Sequence, residues 1–313
     1  MDRKIVVVNP FLTEEMKKKV ADTAAAGGFS VYFYANDEEA REEIREAEAA
    51  AGYGTNLTKE GVNLRWFHSM SAGIDAYQLP GAIANPDLIL THSVGAYGVT
   101  LSEHTLMTIL MVLRREMAYA DEVRRHVWLK RMPVRGIIGS RVTILGTGDI
   151  GREIAARLRS FSPQSITGVN RSGHCMLQSA FDRVVKRDAL EQVLRETDIL
   201  VMALPGGQET YHYIGERELA LLPDDAVVVN VGRGACLDTA ALEKALRAGK
   251  LWGAALDVFE TEPLPADSGL WDCPRLLITP HIAGGPTLRY TLQKIIDQFC
   301  ENLEKYPEGK LCN

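Results

Sequence analysis

The sequence predicts an α/β fold, and three observations carry that prediction. Short apolar runs alternate with amphipathic stretches along most of the chain, the pattern that builds parallel sheets covered by helices. One of these runs, Arg141 to Leu145, leads directly into a glycine-rich turn and then a helix. With 313 residues, 46% of them hydrophobic and 24% charged, the chain has the composition of a globular protein about twice the usual domain size. Two domains are therefore expected.

In chain order, Lys4 to Asn9 reads as a strand, Thr13 to Ala26 as a helix opened by Thr13, and Phe29 to Ala35 as a second strand. An acidic helix is expected over Asp37 to Ala49. Strands at Ala50 to Tyr53, Leu64 to Phe67 and Leu88 to Thr91 follow, with a short helix after Gly73. A long helix is expected from Thr100, where Thr100-x-x-Glu103 has the form of a capping box, through Leu106, Ile109, Leu110 and Leu113. It serves as a connector between the two units. Its continuation carries Arg114, Arg115, Arg124 and Arg125 interleaved with Glu116, Asp121 and Glu122, which suits a solvated or subunit-facing surface.

Composition excludes several partner classes. The net charge of -6 argues against a protein built to grip nucleic acid or an anionic membrane. Five scattered cysteines without a C-x-x-C pair fit neither a disulfide framework nor a zinc ribbon, and point to a reducing, cytoplasmic setting. The seven histidines show no metal-binding spacing, so no metal is expected. Leu106 to Leu113 is stopped by Arg114-Arg115 well short of the roughly 20 residues that span a bilayer.

Gly146-Thr147-Gly148-Asp149-Ile150-Gly151 is a G-x-G-x-x-G run with a strand before it, a helix after it and a second strand at Ser165 to Asn170. Gly146 permits the tight turn, Gly148 lets a pyrophosphate approach the backbone, and Gly151 allows close helix–strand packing. Asp149 and Ile150 complete the cofactor loop. NAD-binding proteins usually carry an acid at the end of the second strand, to receive the adenosine ribose hydroxyls. Here that place reads Asn170-Arg171-Ser172, a guanidinium without an acid, which suits a 2′-phosphate. NADP is the expected preference, with NAD as a second cofactor.

Polar residues stand just beyond later apolar runs: Gly232-Arg233-Gly234 after Val227 to Val231, Asp257 after Gly253 to Leu256, Glu262 a few residues on, and Pro280-His281 after Leu276 to Thr279. Ligands of doubly wound sheets lie outside the carboxyl ends of the strands, so these side chains are expected beside the glycine loop. An arginine, a carboxylate and a histidine there suit carbonyl reduction or its reverse. Histidine is the natural acid/base, Glu262 tunes it, and Arg233 forks onto a 2-oxoacid.

The run Gly146 to Gly151, Leu204-Pro205 with Glu209-Thr210, Asn230 to Gly234, Asp257 to Leu264, and Thr279 to Gly284 together resemble the D-isomer-specific 2-hydroxyacid dehydrogenase family, in order and spacing, over roughly Ser71 to Gly284. The resemblance implies Arg233, Glu262 and His281 as the catalytic trio. It implies cofactor contacts from Leu204, Pro205, Thr210, Val231, Gly232, Arg233, Asp257, His281 and Gly284. Ser71-Ala72-Gly73 is similar to the family's substrate-carboxylate loop, with Arg233 and His281 completing the substrate contacts. The implied fold is a Rossmann cofactor domain, residues 101–285, inserted in a smaller flavodoxin-like α/β substrate domain of residues 1–100 and 286–313, with the active site in the cleft between them. A homodimer through the cofactor domain is implied as well. Two features depart from the family pattern: Gly206-Gly207-Gln208 replaces a more polar run, and Gly173-His174 follow Arg171-Ser172 where a further Lys often stands.

Other classes fit less well. His68-Ser69-Met70-Ser71-Ala72-Gly73 fails the G-x-S-x-G test of a serine hydrolase. A nucleotide-sensing regulatory protein on the same fold is the main alternative, and retention of the whole trio favours an enzyme. A phosphoglycerate dehydrogenase-like enzyme is a further alternative, for which no regulatory domain is expected after Asn313. Formate oxidation requires no proton transfer to an alkoxide and suits the trio less. The expected activity is NADPH-dependent reduction of a small 2-oxoacid, with glyoxylate or hydroxypyruvate as the leading class.

Overall fold

The computed structural model describes residues 3–175, 180–285, 287–306 and 309–311. It divides into two compact units, Met1–Tyr97 with Gly285–Asn313, and Gly98–Gly284. The first unit opens with β1 (Arg3–Val8), α1 (Glu14–Ala26), β2 (Phe29–Tyr34), α2 (Arg41–Ile44), β3 (Ala49–Gly52), α3 (Asn56–Glu60), β4 (Trp66–Ser69) and β5 (Ile89–His92). The second begins with α4 (Gly98–Leu113), α5 (Glu116–Arg124), β6 (Arg141–Leu145), α6 (Asp149–Leu158), β7 (Ser165–Asn170), β8 (Arg183–Lys186) and α7 (Leu190–Leu194). It ends with β9 (Ile199–Met202), α8 (Glu216–Leu221), β10 (Ala226–Asn230), α9 (Thr239–Arg247), β11 (Leu251–Leu256) and β12 (Leu276–Ile278). The last helix, α10 (Arg289–Lys305), belongs to the first unit and packs on α1.

Both sheets are parallel throughout. The first runs β2-β1-β3-β4-β5, the flavodoxin-like order. The second runs β12-β11-β10-β9-β6-β7-β8, the doubly wound order, with its direction of growth reversing between β6 and β9. Strands covered on both faces read as near-continuous apolar runs, and β10 and β11 are buried at every position.

Three expectations need correction. The acidic stretch forms only the short α2, and Ala49 already belongs to β3, which pairs with β1. Alanine is a good helix former, but Ala47 and Ala49 to Ala51 are fully buried, and burial beside a central strand overrides that propensity. The strand expected from Leu64 begins at Trp66. The connector helix starts at Gly98, so Thr100 and Glu103 lie inside it and form no capping box. Thr100 is buried, with its hydroxyl donating to the Gly284 carbonyl at 3.3 Å. A glycine at the first position has a steric reason, since a Cβ on Gly98 would stand 2.5 Å from the Asp149 Oδ2 on α6.

Under the carboxyl ends of β4 and β5 lies a buried polar chain. Trp66 Nε1 donates to Thr91 Oγ1 at 2.9 Å, Thr91 Oγ1 is 2.8 Å from His68 Nδ1, His68 Nε2 is 3.2 Å from Ser93 Oγ, and Ser93 Oγ donates to the Ser69 carbonyl at 3.0 Å. Each hydroxyl has one hydrogen. Ser93 spends its hydrogen on Ser69, so it accepts from His68 Nε2–H, and Nδ1 must then accept from Thr91. His68 is therefore neutral, which agrees with burial, and secondarily the nearby His92, pushing its pKa down to about 4. Between the ordinary histidine value of ~6.5 and about 4 the unfolded chain takes up a proton that the folded one refuses, so stability is full above this window and falls as the pH drops through it. We expect a loss of about 2 kcal/mol on going from roughly pH 7.5 to roughly pH 5, read as a shift in the urea midpoint and reduced in a His68→Gln variant. An identical acid limb in that variant would show that His68 is not its source.

Candidate active site

Because every strand of the second sheet runs the same way, its loops of interest emerge on one edge. Gly146 follows β6, Asn170 ends β7, Leu204 follows β9, Gly232 and Arg233 follow β10, Asp257 follows β11, and Thr279 to His281 follow β12. Strand order puts Asn170 on one side of the glycine loop and Arg233, Asp257 and His281 on the other. The glycine loop thus stands at the reversal point, where a dinucleotide can lie across the edge with one half on each side.

The loop geometry fits a pyrophosphate. Gly146 has φ +96°, and a Cβ there would meet the Ala203 carbonyl oxygen at 2.5 Å. At Gly151 the added atom would be 1.9 Å from the Gly146 carbonyl oxygen. Gly148 differs, because its backbone suits any residue and no heavy atom lies within 4 Å of a Cβ placed on it. The protein's own packing requires the outer two glycines, while the middle one leaves open the space that a phosphate approaching the start of α6 would fill. Asp149 and Ile150 begin that helix.

At the far end of β7 a tight turn is built around Asn170. Its Nδ2 donates to Thr147 Oγ1 at 2.6 Å and to the His174 carbonyl at 2.8 Å, while its Oδ1 accepts from the Gly173 amide at 2.6 Å and from Ser172 Oγ at 3.3 Å. Asn170 therefore spends its hydrogen-bonding capacity on shaping the turn and tying it to the glycine loop. Arg171 is exposed at its tip, and among the described residues it forms no ion pair or side-chain hydrogen bond.

On the other side, the Arg233 turn is clamped from below by the fully buried Asn230, whose Oδ1 accepts from the Gly232 amide at 3.1 Å and whose Nδ2 donates to the Arg233 carbonyl at 3.0 Å. Arg233 also donates to the Gly232 carbonyl at 2.9 Å. Gly232 lets β10 approach the β9 end, since a Cβ would stand 2.6 Å from the Leu204 carbonyl oxygen. Val231 is buried with its amide bound to Met202, and the Thr210 hydroxyl donates to the Pro205 carbonyl at 2.8 Å, closing the loop after Leu204.

His281 and Glu262 are brought together. His281 Nδ1 lies 2.6 Å from Glu262 Oε2, and the other carboxylate oxygen of Glu262 accepts from the Phe259 amide at 2.9 Å. The histidine side chain is about half exposed, 52% against 34% for Glu262. His281 takes φ +53°, a strained choice for a residue with a Cβ. Asp257 holds that backbone in place. Its buried carboxylate accepts from Thr279 Oγ1 at 2.6 Å and from the amides of Ile282 at 2.9 Å and Ala283 at 3.0 Å, while its carbonyl accepts from the His281 amide at 2.8 Å. The acid placed by sequence among the cofactor contacts is, in geometry, the anchor of the histidine loop.

Asn230 and Thr279 enter the sequence reading only as motif members, and His104 does not enter it as a site residue. His104 Nε2 lies 3.1 Å from Thr279 Oγ1, and burial chiefly pushes its pKa down while Asp257 opposes that shift. Since Thr279 gives its hydrogen to Asp257, it accepts from His104, which extends the anchor to α4. A polar residue closing an apolar run, as Asn230 closes Ala226 to Val229, was the available signal.

The predicted anion loop lies in the first unit, after β4. Its carbonyls are pinned: Met70 by the Tyr97 hydroxyl, Ser71 by the Ser93 amide at 3.1 Å, and Ala72 by His92 Nδ1 at 2.8 Å. The Ser71 amide is spent on Ser69 Oγ at 3.3 Å. Those of Ala72 and Gly73 donate to no acceptor among the described residues, so they rather than Ser71 have N–H groups to offer an anion. Among the described residues no cluster of His, Cys, Asp and Glu suits a metal ion, and no helix is long and apolar enough to cross a membrane.

Comparison with known proteins agrees with this architecture. The family described as D-isomer specific 2-hydroxyacid dehydrogenase, NAD binding domain, matches residues 106–283. Glyoxylate/hydroxypyruvate reductase B of Pectobacterium carotovorum is 31% identical over 247 residues, which cover 76% of each chain. A D-isomer specific 2-hydroxyacid dehydrogenase family protein from Aeromonas salmonicida superposes with a TM-score of 0.84 at 31% identity, covering 99% of this chain and 97% of its own. An NADPH-dependent glyoxylate/hydroxypyruvate reductase of Sinorhizobium meliloti, solved with NADP and sulfate, gives a TM-score of 0.77 at 25% identity, covering 99% and 96%. With the family model matching more than half of the chain and the fold shared with these solved structures, the chain belongs to the D-isomer-specific 2-hydroxyacid dehydrogenases, a family of NAD(P)-dependent oxidoreductases.

Proposed function

We propose that this protein reduces a small 2-oxoacid of the glyoxylate or hydroxypyruvate type with NADPH, and runs the reverse oxidation of a D-2-hydroxyacid. The observation that carries the proposal is the 2.6 Å contact between His281 and Glu262 on the sheet edge that also bears the glycine loop and Arg233. The nicotinamide cofactor supplies or accepts the hydride when bound. Arg233 binds the substrate's carboxylate and carbonyl oxygens through its fork of donors. Ala72 and Gly73 offer N–H groups to the carboxylate, and Ser71 shapes their loop. Because Nδ1 faces Glu262, His281 moves its proton at Nε2, giving it to the carbonyl oxygen as the alkoxide develops. The carbon gains the hydride, the oxygen gains the proton, and the product is the 2-hydroxyacid. Glu262 fixes the ring through Nδ1.

The cofactor choice rests on Arg171 and Ser172 standing where an acid would receive the adenosine ribose. Reductases of this name among the relatives, one of them NADPH-dependent, support it. We further place the protein in the cytoplasm as a homodimer, working without metal, nucleic acid or membrane. The dimer is supported by an apolar series on the cofactor unit with Val123 69%, Trp128 88% and Ile138 76% exposed, unusual for a surface that meets only water.

Three measurements test the proposal. A panel of 2-oxoacids assayed by NADPH oxidation is expected to show turnover of short acids and a kcat/KM ratio favouring NADPH over NADH that falls in Arg171→Ala; no turnover with any member removes the substrate assignment, and a preference for NADH removes the cofactor assignment. His281→Ala is expected to lose at least about a hundredfold in kcat while binding NADPH normally, and Arg233→Lys to act mainly on substrate KM. Wild-type kcat in the histidine variant would exclude it as the acid. Sedimentation equilibrium is expected to give twice the chain mass, and a monomer at micromolar concentration would remove the dimer.

A further inference from the structure

The turn that carries Arg171 has a second cation beside it from the neighbouring strand. In the parallel pairing of β7 with β8, Lys186 is the partner of Asn170, so its side chain leaves the sheet on the same face as the side chain that builds the turn. The stem of Lys186 then runs over Gly173, with its Cγ 2.8 Å and its Cε 3.5 Å from the point where a Gly173 Cβ would stand. Glycine, at φ +73°, is what gives that stem its passage. The lysine stem thereby lies against the turn that bears Arg171.

Neighbouring cations along β8 and its flanks are engaged. Arg159 pairs with Asp182 at 2.9 Å, and Arg183 pairs with Glu196 at 3.5 Å and donates to Thr167. Arg187 lies over the Tyr213 ring at 4.6 Å and donates to the Glu209 carbonyl at 3.3 Å. Lys186 and Arg171 are both exposed, and among the described residues neither has an acidic partner. Two uncompensated cations on adjoining strand ends, in a protein of net charge -6, make a local seat for a dianion.

We propose that Lys186 is a second binding residue for the 2′-phosphate of NADPH, supplying from β8 the charge that does not follow Arg171-Ser172 in sequence; this rests on the NADP assignment above. Arg171 grips with a planar fork, and Lys186 adds a mobile point charge that follows the phosphate without fixing its orientation.

Calorimetric titration of the whole protein with adenosine 2′,5′-bisphosphate and with adenosine 5′-monophosphate separates the 2′-phosphate from the rest of the nucleotide. Lys186→Ala is expected to weaken the bisphosphate about threefold to tenfold relative to the monophosphate, and Lys186→Arg to restore most of the difference. The NADPH-to-NADH ratio of kcat/KM is expected to fall in parallel. If Arg171→Ala lowers the bisphosphate preference and Lys186→Ala does not, the proposal fails and the NADP assignment stands. If wild type shows no bisphosphate preference, the NADP assignment fails and takes the proposal with it. Equal weakening of both nucleotides by Lys186→Ala would also overturn the proposal, because the lysine would then act on the fold of the turn.

Discussion

The buried carboxylate of Asp257 organises the chemically active end of the second sheet. A charge withdrawn from water is tolerated only when donors surround it, and here one hydroxyl and two amides do so. All three donors come from the segment after β12, so satisfying the charge and folding that segment are one event. The strained backbone of His281 persists because its neighbours on both sides are tied to the same residue. Asp257 is expected from the family resemblance among the cofactor contacts, and in the structure its carboxylate hydrogen bonds are directed at the segment after β12. What those bonds determine is the placement of His281.

The fold was largely legible because both sheets are parallel. Buried parallel strands leave unbroken runs such as Ala226 to Val229, and one glycine loop with strand and helix on either side fixes the winding. What escaped was decided by partners distant in sequence. Ala50 to Tyr53 reads as a strand, but Ala49 reads as the end of a helix and joins the strand only because β1 and β4 lie beside it. Thr100 imitates a cap, and nothing local reveals that its hydroxyl is taken by Gly284, 184 positions away.

The candidate site was legible at the level of which residues, and less so at the level of what each one touches. Arg233 and His281 stand just past strand ends and Glu262 a few residues beyond one, and residue type together with the family resemblance singled them out. Asn170 and Asp257 stand at strand ends too, but their polar atoms face inward to shape turns. Strand-end position marks both kinds of residue equally. Only the direction of the hydrogen bonds separates a side chain that meets a ligand from one that builds the place where the ligand is met.

The neutral His68 beneath the first unit's loop bears on how an anion would be recognised there. Its two nitrogens are committed in opposite senses, one accepting and one donating, so the chain from Trp66 to the Ser69 carbonyl has a single direction and no spare proton. A loop supported in this way offers a carboxylate oriented N–H dipoles without help from a formal charge below. Dipoles do not titrate. Any attraction these amides exert on an anion is thus constant across the range in which His68 stays neutral.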